Sequence, residues 1–180
     1  MKFDDKIGSI QQIITATNIG ILRRQAILKE LNLKKNQTII DIGCGGGHLV
    51  EKIAMCVGPS GKAIGVDPSD FQINTAKERC KHLSNVEFLC NAANDIDIED
   101  NSCDAVTFTQ TLEYIDNVDE ALYAAKRLQK PMSNFVNVST LWDFFGFHGP
   151  EKELNNMMNE IYRSQKHPML PTQLNGTLER

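Results

Sequence analysis

The sequence predicts an α/β protein with a Rossmann-like, doubly wound sheet of about five parallel strands and helices on both faces. Short apolar runs of strand length alternate with helical stretches of ten or more residues. A glycine-rich turn joins the first apolar run to a helix, and an aspartate ends the second run. This alternation is typical of βαβ units, whose right-handed crossovers put a ligand site at the carboxyl ends of the strands.

Residues 1–35 are predicted to be helical, because apolar residues recur near the helical period with basic residues opposite them. The apolar positions are Ile19, Ile21, Leu22, Ala26, Ile27 and Leu31, and the basic ones are Arg23, Arg24 and Lys29. We expect this segment to act as a lid or cap on a second unit, residues 36–180.

The first half of that unit follows a strand–helix–strand–helix order. An apolar strand at 38–42 runs into Gly43-Cys-Gly-Gly-Gly47, and a helix follows at 48–57. A Gly-Pro-Ser-Gly turn leads to a strand at 62–66, which ends at Asp67. Ser69 or Asp70 can cap a helix that continues to about residue 82.

The second half is predicted in the same way. Further strands are expected at 86–90, 104–108 and 135–139, with a helix at 118–128 before the last strand. The glycine loop and Asp67 then share one edge of the sheet, which is where we expect a ligand.

Composition narrows the class of protein. The chain has 180 residues, 41% of them hydrophobic, and a formal net charge of −4, as expected of one globular domain. This charge disfavours nucleic acid as a partner, and no apolar stretch reaches the about 20 residues that span a bilayer. The five cysteines form no C-x-x-C pair, which predicts reduced thiols and no metal site. Reduced thiols predict a cytoplasmic location, and the lack of a membrane-spanning stretch predicts no membrane partner.

The glycine loop favours one of three nucleotide-type ligands. A dinucleotide fingerprint needs a glycine at position 48, which is His48, and Asp41 would face a pyrophosphate. A phosphate loop fails at Gly61-Lys62, because Ala63 follows where Ser or Thr is required. The remaining ligand is a cationic nucleoside: S-adenosylmethionine has an ammonium, a sulfonium and a ribose, which suit Asp41, the glycines and Asp67.

These motifs, in this order, resemble class I S-adenosylmethionine-dependent methyltransferases. D-x-G-x-G-x-G at 41–47 and Gly-Val-Asp-Pro-Ser at 65–69 carry the resemblance, which continues through 85–89, 102–107 and 112–115. The similarity is strongest to the branch that contains ubiquinone/menaquinone-biosynthesis and arsenite methyltransferases. It covers residues 36–148 and, more weakly, 168–174.

The resemblance implies S-adenosylmethionine as cofactor, S-adenosylhomocysteine as product, and a role for each matching position. The methionine part would be held by Asp41, Gly43, Gly45 and Gly47, with His48 next to them. Asp67 would bind the ribose, Pro68 and Ser69 would lie beside the adenine, and Thr109 and Gln110 would line the cofactor and face the acceptor.

The chain departs from the family at three places, one of which is the predicted turn before the fifth strand, Lys130-Pro-Met-Ser133, where relatives have Pro-Gly-Gly. The resemblance implies an Asp that binds the adenine amino group, where this chain has Asn91-Ala92-Ala93, so either a side-chain carbonyl of Asn91 or Asn94 replaces it or the backbone binds the adenine alone. The family sheet ends in an antiparallel hairpin for which this sequence has no matching strands, so either the domain is C-terminally truncated or the sheet ends at the fifth strand. In the second case, residues 134–139 would form an exposed edge through which a homodimer could pair.

The expected function is methyl transfer to the carbon or oxygen of a small-molecule acceptor. Candidates for a catalytic base are Tyr114, Asp143 and His148, although aromatic packing explains Tyr114 better, and an ordinary loop position explains Asp143 and His148 equally well. Metalloid chemistry through the cysteines is disfavoured, because most of them fall within predicted helices or strands. The alternative function is a non-catalytic or degenerate S-adenosylmethionine-binding module or fragment.

Overall fold

The fold is a five-stranded parallel sheet flanked by helices, which confirms the predicted architecture. The computed structural model describes residues 5–140, 151–163, 167 and 170. The strand order is β3-β2-β1-β4-β5. The strands are β1 (Thr38–Ile42), β2 (Lys62–Val66), β3 (Val86–Leu89), β4 (Cys103–Thr109) and β5 (Gln129–Val138). The helices are α1 (Asp5–Ala16), α2 (Asn18–Leu31), α3 (His48–Val57), α4 (Asp70–Cys80), α5 (Val118–Leu128) and α6 (Lys152–Arg163).

Alternating side chains divide the core between the two faces of the sheet. On one face, Ile40, Val66 and Phe108 pack with the buried side of α5. On the other face, Ile39, Ala63 and Ala105 pack against residues of α2, α3 and α4. This two-sided burial explains why the central strands are continuous apolar runs rather than alternating ones.

Most predicted boundaries agree with the structure because local signals set them. β1, α3, β2 and α5 have the predicted bounds. Ser69 caps α4: its Oγ accepts a hydrogen bond from the backbone N–H of Gln72 at 3.4 Å. α4 ends at Cys80, two residues before the predicted end, and α6 was not predicted.

The predicted apolar face of the N-terminal segment is confirmed at its C-terminal end and wrong at its start. Ile19 and Leu22 are 70% and 64% exposed, whereas Ile27 and Leu31 are buried. Arg24 is half-buried instead, because its Nη1 donates to the carbonyl of Thr15 at 2.7 Å. Hydrogen bonds of this kind, which periodicity does not reveal, turn the polar side of α2 towards the protein.

β5 begins earlier than predicted and contains a bulge. Gln129 pairs with Cys103 and Asn134 pairs with Ala105, so residues 130–133 lie opposite a single residue of β4. Lys130 closes the bulge with an ion pair to Asp104 at 2.8 Å. The predicted turn before the strand is therefore an irregularity inside it. Within the described residues, β5 has a strand neighbour on one side only.

No helix within residues 5–140 and 151–163 combines the length and apolarity needed to cross a membrane.

Candidate functional site

A cavity of about 390 Å³ opens at the carboxyl ends of β1 to β4. It lies where the strand order reverses, which is the usual position for a ligand in a doubly wound sheet, and its volume suits a small molecule. Its lining comprises Gln11, Ile42, Gly43, Val66, Asp67, Pro68, Asn91, Ala92, Ala93, Asn94, Gln110, Thr111, Tyr114, Ile115, Asp116, Asn117 and Glu120.

The glycine loop turns tightly between β1 and α3. The backbone N–H groups of Gly43 and Cys44 both donate to the carbonyl of Val66, at 2.7 and 2.9 Å. Gly43 has a φ of +78°, and a Cβ there would lie 2.1 Å from Oγ1 of Thr111. Position 43 therefore requires glycine both for its conformation and for the close approach of Thr111.

Asp67 is fixed by the loops on either side of it. Its Oδ2 accepts from the N–H of Gly45 at 2.9 Å, and its Oδ1 accepts from the N–H of Ser69 at 3.0 Å. Burial raises the pKa of this carboxyl, and the two backbone hydrogen bonds oppose that shift. Each carboxylate oxygen keeps a further acceptor site. Asp67 can therefore accept bonds from two hydroxyl groups in the cavity.

Asp41 is a buried carboxylate with an unsatisfied oxygen. It is 2% exposed, and its Oδ1 has no hydrogen-bond partner among the described residues. Burial, followed by the charge of Asp67, raises the pKa of Asp41 to about 7. Thr107 pairs with Asp41 in the sheet, and Oγ1 of Thr107 and of Thr109 are also buried without a partner. A threonine hydroxyl can donate or accept, whereas the ionised Asp41 oxygen can only accept, so this oxygen is unfavourable until a donor reaches it.

A second polar cluster fixes α1 to the glycine loop. Gln12 Nε2 donates to Gln72 Oε1 at 2.9 Å, and Gln72 Nε2 donates to Gln11 Oε1 at 2.6 Å. Arg79 Nε donates to the carbonyl of Gly46 at 2.7 Å, and its Nη2 donates to Gln12 Oε1 at 3.1 Å. These contacts place the N-terminal helix directly over the loop.

His48 belongs to this cluster rather than to the cavity wall. Its Nε2 lies 3.2 Å from Gln12 Oε1. Burial lowers the pKa of His48 to about 4, and the charges of Arg79 and Arg24 act in the same direction. The ring is therefore neutral at physiological pH and can donate to Gln12.

A third cluster connects α2 to the carboxyl ends of β4 and β5. Arg23 Nη1 donates to Gln110 Oε1, and Gln110 Nε2 donates to Thr140 Oγ1 at 2.7 Å. Glu113 is fully buried, and its Oε1 accepts from the backbone N–H of Thr140 at 3.3 Å. Burial raises the pKa of Glu113, whereas nearby Arg23 lowers it. This cluster borders the side of the cavity that Gln110 lines.

The residues proposed from sequence fall into two groups. Those that line the cavity are Gly43, Asp67, Pro68, Asn91, Ala92, Gln110 and Tyr114. Those that surround it without contributing to its described lining are Asp41, Gly45, Gly47, His48, Ser69 and Thr109. Asp143 and His148 lie outside the described residues.

Tyr114 is a poor base in this position. Burial, and then the charge of Glu113, raise the pKa of its phenol to about 12. The phenol is therefore protonated at neutral pH, so in the cavity it acts as a hydrogen-bond donor.

Two lining residues that sequence reasoning missed are Gln11 and Glu120. Glu120 lies in the first turn of α5, and its Oε2 accepts from Asn94 Nδ2 at 2.8 Å. This contact brings a carboxylate beside the loop in which Ala92 replaces the family aspartate. Asn117 caps α5, and acidic residues follow it in the first turn, a pattern that is typical of a helix start. Nothing in the neighbouring sequence indicates that these residues face a ligand.

The cysteines and potential metal ligands support no further site in the described part of the chain. All five cysteines are free, and Cys44, Cys80 and Cys103 are buried. Burial raises the pKa of Cys44 well above its usual value, which keeps the thiol protonated. No group of three or more His, Cys, Asp or Glu side chains within the described residues is placed to bind a metal ion.

Comparison with known sequences agrees with this geometry. The family model of a methyltransferase domain matches residues 33–172. A demethylmenaquinone methyltransferase from Staphylococcus carnosus is 32% identical over 117 residues, which are 65% of this chain and 48% of that protein. An uncharacterised protein of transposon TN4556 from Streptomyces fradiae is 26% identical over 84% of this chain and 44% of its own length. The chain thus spans about half the length of these curated relatives.

Solved structures share the fold. A SAM-dependent methyltransferase from Aquifex aeolicus superimposes with a TM-score of 0.71 and 24% identity, covering 89% of this chain and 88% of that one. A putative S-adenosyl-L-methionine-dependent methyltransferase from Methanococcus maripaludis has a TM-score of 0.69 and 20% identity, covering 93% and 74% of the two chains.

Proposed function

The chain belongs to the methyltransferase domain family, and from that premise we propose that it transfers a methyl group to a small-molecule acceptor. The methyl donor is S-adenosylmethionine, and the product is S-adenosylhomocysteine. The acceptor atom in this proposal is carbon or oxygen. The proposal concerns the activity of the whole protein. The region that matches covers about half the length of the relatives.

The observation that carries the proposal is the unsatisfied carboxylate of Asp41 beneath the glycine loop. A buried acceptor with no partner and a pKa of about 7 favours a ligand that brings positive charge and N–H donors. The ammonium of S-adenosylmethionine supplies both. Asp67 is 22 residues from Gly45 in sequence but bonds to it directly, so the ribose site and the loop are built as one unit. The residues present therefore fit the cofactor.

The protein's own contribution to catalysis is placement and exclusion of water. The bound cofactor supplies the chemistry, since its methyl carbon is activated by the adjacent positive sulfur. Asp41 and the loop would hold the amino-acid end, while Asp67 would hold the ribose. Gln110 and Tyr114 would face the acceptor at the end of β4. Holding two reactants in line in this way accelerates a displacement without a dedicated nucleophile on the protein.

For the acceptor we propose a cyclic or apolar compound with an acidic carbon or hydroxyl group. The relative from Staphylococcus carnosus is named for demethylmenaquinone, which supports a reduced quinone as the first compound to test. Protonated Tyr114 would donate a hydrogen bond to an acceptor oxygen. A base, if the acceptor needs one, would come from Asp143 or His148, and both roles are hypotheses.

The proposal includes neither a nucleic-acid nor a membrane partner and places the protein in the cytoplasm. It also includes a homodimer formed along the open side of β5, where the polar side chains of Asn134 and Asn137 lie. Light scattering would test this pairing directly. A non-catalytic cofactor-binding module is not favoured, because the matching family model and the relative from Staphylococcus carnosus are both described as methyltransferases.

The experiment is a methyl-transfer assay with the purified chain, S-adenosylmethionine and a panel of reduced naphthoquinones, phenols and β-dicarbonyl compounds. Release of S-adenosylhomocysteine is quantified by mass spectrometry. We expect acceptor-dependent release that the Asp41→Asn variant lacks. Equal release with and without every acceptor class, from a chain that binds the cofactor, would contradict transfer to such acceptors.

A further inference from the structure

We propose that Gln11, from the N-terminal helix, is a cofactor-binding residue that recognises the carboxylate at the amino-acid end of S-adenosylmethionine. This inference rests on the proposed function and adds a residue from outside the glycine motif. It makes the cofactor site a composite of the sheet and of α1, rather than a property of the sheet alone.

The first argument is the position of α1 on the glycine loop. Gln12 lies over the loop so closely that a Cβ at Gly46 would be 2.0 Å from Gln12 Nε2. Gly46 has no positive φ, so a Cβ there would meet the end of the Gln12 side chain and no backbone restriction. Arg79 bonds both Gly46 and Gln12, which ties the helix and the loop to α4. The position of the neighbouring Gln11 is therefore fixed relative to the loop.

The second argument is the direction of the amide chain. Gln12 donates to Gln72, and Gln72 donates to Oε1 of Gln11. In this order Oε1 of Gln11 already accepts a hydrogen bond. The Nε2 group of Gln11 has no partner among the described residues and is the free donor at the end of this row of amides. Gln11 lines the cavity, and its Oε1 lies 3.8 Å from the position of a Cβ on Gly45. An N–H donor is thus presented beside the loop.

The third argument is charge. Arg79 donates to the carbonyl of Gly46, and the positive charges of Arg79 and Arg23 act on Arg24, so positive charge lies on the α1 and α2 side of the loop. Asp67 accepts from the N–H of Gly45 and, with Asp41, adds negative charge at the strand ends. A zwitterionic amino-acid group matches this polarity, with its ammonium towards the aspartates and its carboxylate towards the arginine-rich side. The carboxylate is the anionic group of the cofactor, so an amide donor on that side selects it.

The test compares two ligands that differ only in the amino-acid end. S-adenosylhomocysteine has it, whereas 5′-methylthioadenosine keeps the nucleoside and sulfur but lacks it. Calorimetry measures the Kd of both ligands for the wild-type chain, Gln11→Ala, Gln11→Glu and the control Gln25→Ala, whose side chain is exposed on α2. Trypsin cleavage at Arg23 and Arg24 reports whether α1 and α2 remain in place.

We expect Gln11→Ala to weaken S-adenosylhomocysteine binding about tenfold, as for one hydrogen bond to a charged group, and to leave methylthioadenosine binding unchanged. Gln11→Glu should weaken the first ligand further, because it opposes the carboxylate with a like charge. Gln25→Ala should alter neither ligand.

Equal loss for the two ligands, or unchanged binding of S-adenosylhomocysteine, would overturn the role of Gln11 while leaving the proposed function in place. Absence of S-adenosylhomocysteine binding to the wild-type chain would overturn both.

Discussion

The two halves of the proposed cofactor site are built in opposite ways. The sheet side, with the glycine loop, Asp41 and Asp67, comes from 27 consecutive residues, 41–67. The other half, which we term the lid side after the role proposed for α1 and α2, depends on hydrogen bonds between residues far apart in sequence, such as Gln12–Gln72 (60 positions) and Arg23–Gln110 (87 positions). The sheet side leaves a buried carboxylate oxygen unsatisfied, whereas the amides and arginines of the lid side largely satisfy one another.

This difference indicates a division of labour. A preformed but unsatisfied acceptor costs stability in the free protein and is stabilised when a cationic ligand arrives. The hydrogen-bonded amides and arginines of the lid side fix its position, and Oε2 of Glu113 is the buried atom of that side without a partner among the described residues. Removing the unsatisfied acceptor on the sheet side should therefore weaken binding and raise stability, whereas substitutions on the lid side should weaken binding with little effect on stability.

The largest expected effect is that of Asp41→Asn. The amide cannot offer an ionised partner to an ammonium, so affinity for S-adenosylhomocysteine should fall at least about tenfold. Because the pKa of Asp41 is raised in the folded state, the folded protein binds more protons than the unfolded chain between about pH 4 and about pH 7, and stability falls as pH rises through that window. The variant should lack this fall and unfold at higher temperature than the wild type at pH 8.

Thermal unfolding at pH 5 and pH 8, together with calorimetry, measures both effects. The control is Asp97→Asn, an exposed carboxylate. A variant that binds normally, or that is destabilised at pH 8, would contradict the division of labour.

The same difference explains what the sequence could predict. β1, α3, β2, Asp67 and the cap at Ser69 depend on neighbours in sequence, and the structure places them as expected. Arg23 and Gln11 act through partners on other elements, so periodicity assigned the first half of α2 the wrong buried face and did not single out Gln11 as a residue of the cavity. The bulge in β5 was missed for a similar reason, since a cross-strand ion pair closes it.

Two glycines of one loop sharpen the comparison. Gly43→Ala forces a positive φ on alanine and a clash with Thr111, so it should lower the free energy of unfolding by about 1–3 kcal/mol. Gly46→Ala meets the flexible end of Gln12, which can move, so its effect should stay below about 0.5 kcal/mol. Urea denaturation of both variants measures the difference. Equal destabilisation would show that lid and loop are one cooperative unit.

The pH dependence of binding isolates the contribution of Asp41. Since its pKa is about 7 in the free protein, the ionised fraction rises about tenfold between pH 6 and pH 8, and affinity for S-adenosylhomocysteine should rise by a similar factor. Binding at pH 6 should release a proton into the buffer, detectable as a heat that depends on the buffer's ionisation enthalpy. A pH profile that stays the same in Asp41→Asn would assign the titration to another group.

The smallest expected effect concerns Glu120, the carboxylate that lies near Ala92. If it accepts from the adenine amino group, Glu120→Gln should weaken S-adenosylhomocysteine binding only about threefold, as for one partly exposed hydrogen bond. S-inosylhomocysteine, which lacks that amino group, should bind the variant and the wild type alike. Asp119→Asn, a neighbouring exposed acid in the same helical turn, is the matched control. An equal loss for both ligands would remove Glu120 from adenine recognition.

The most direct test of the central claim is calorimetric titration of the wild-type chain at pH 8 with S-adenosylmethionine, S-adenosylhomocysteine and NAD in parallel. The proposed site predicts micromolar binding of the first two ligands and no binding of NAD. Asp41 would place a negative charge near the pyrophosphate of a dinucleotide, and His48 occupies the position of the third glycine that a dinucleotide fingerprint requires. Binding of NAD, or of none of the three, would contradict the assignment of this cavity to a sulfonium nucleoside.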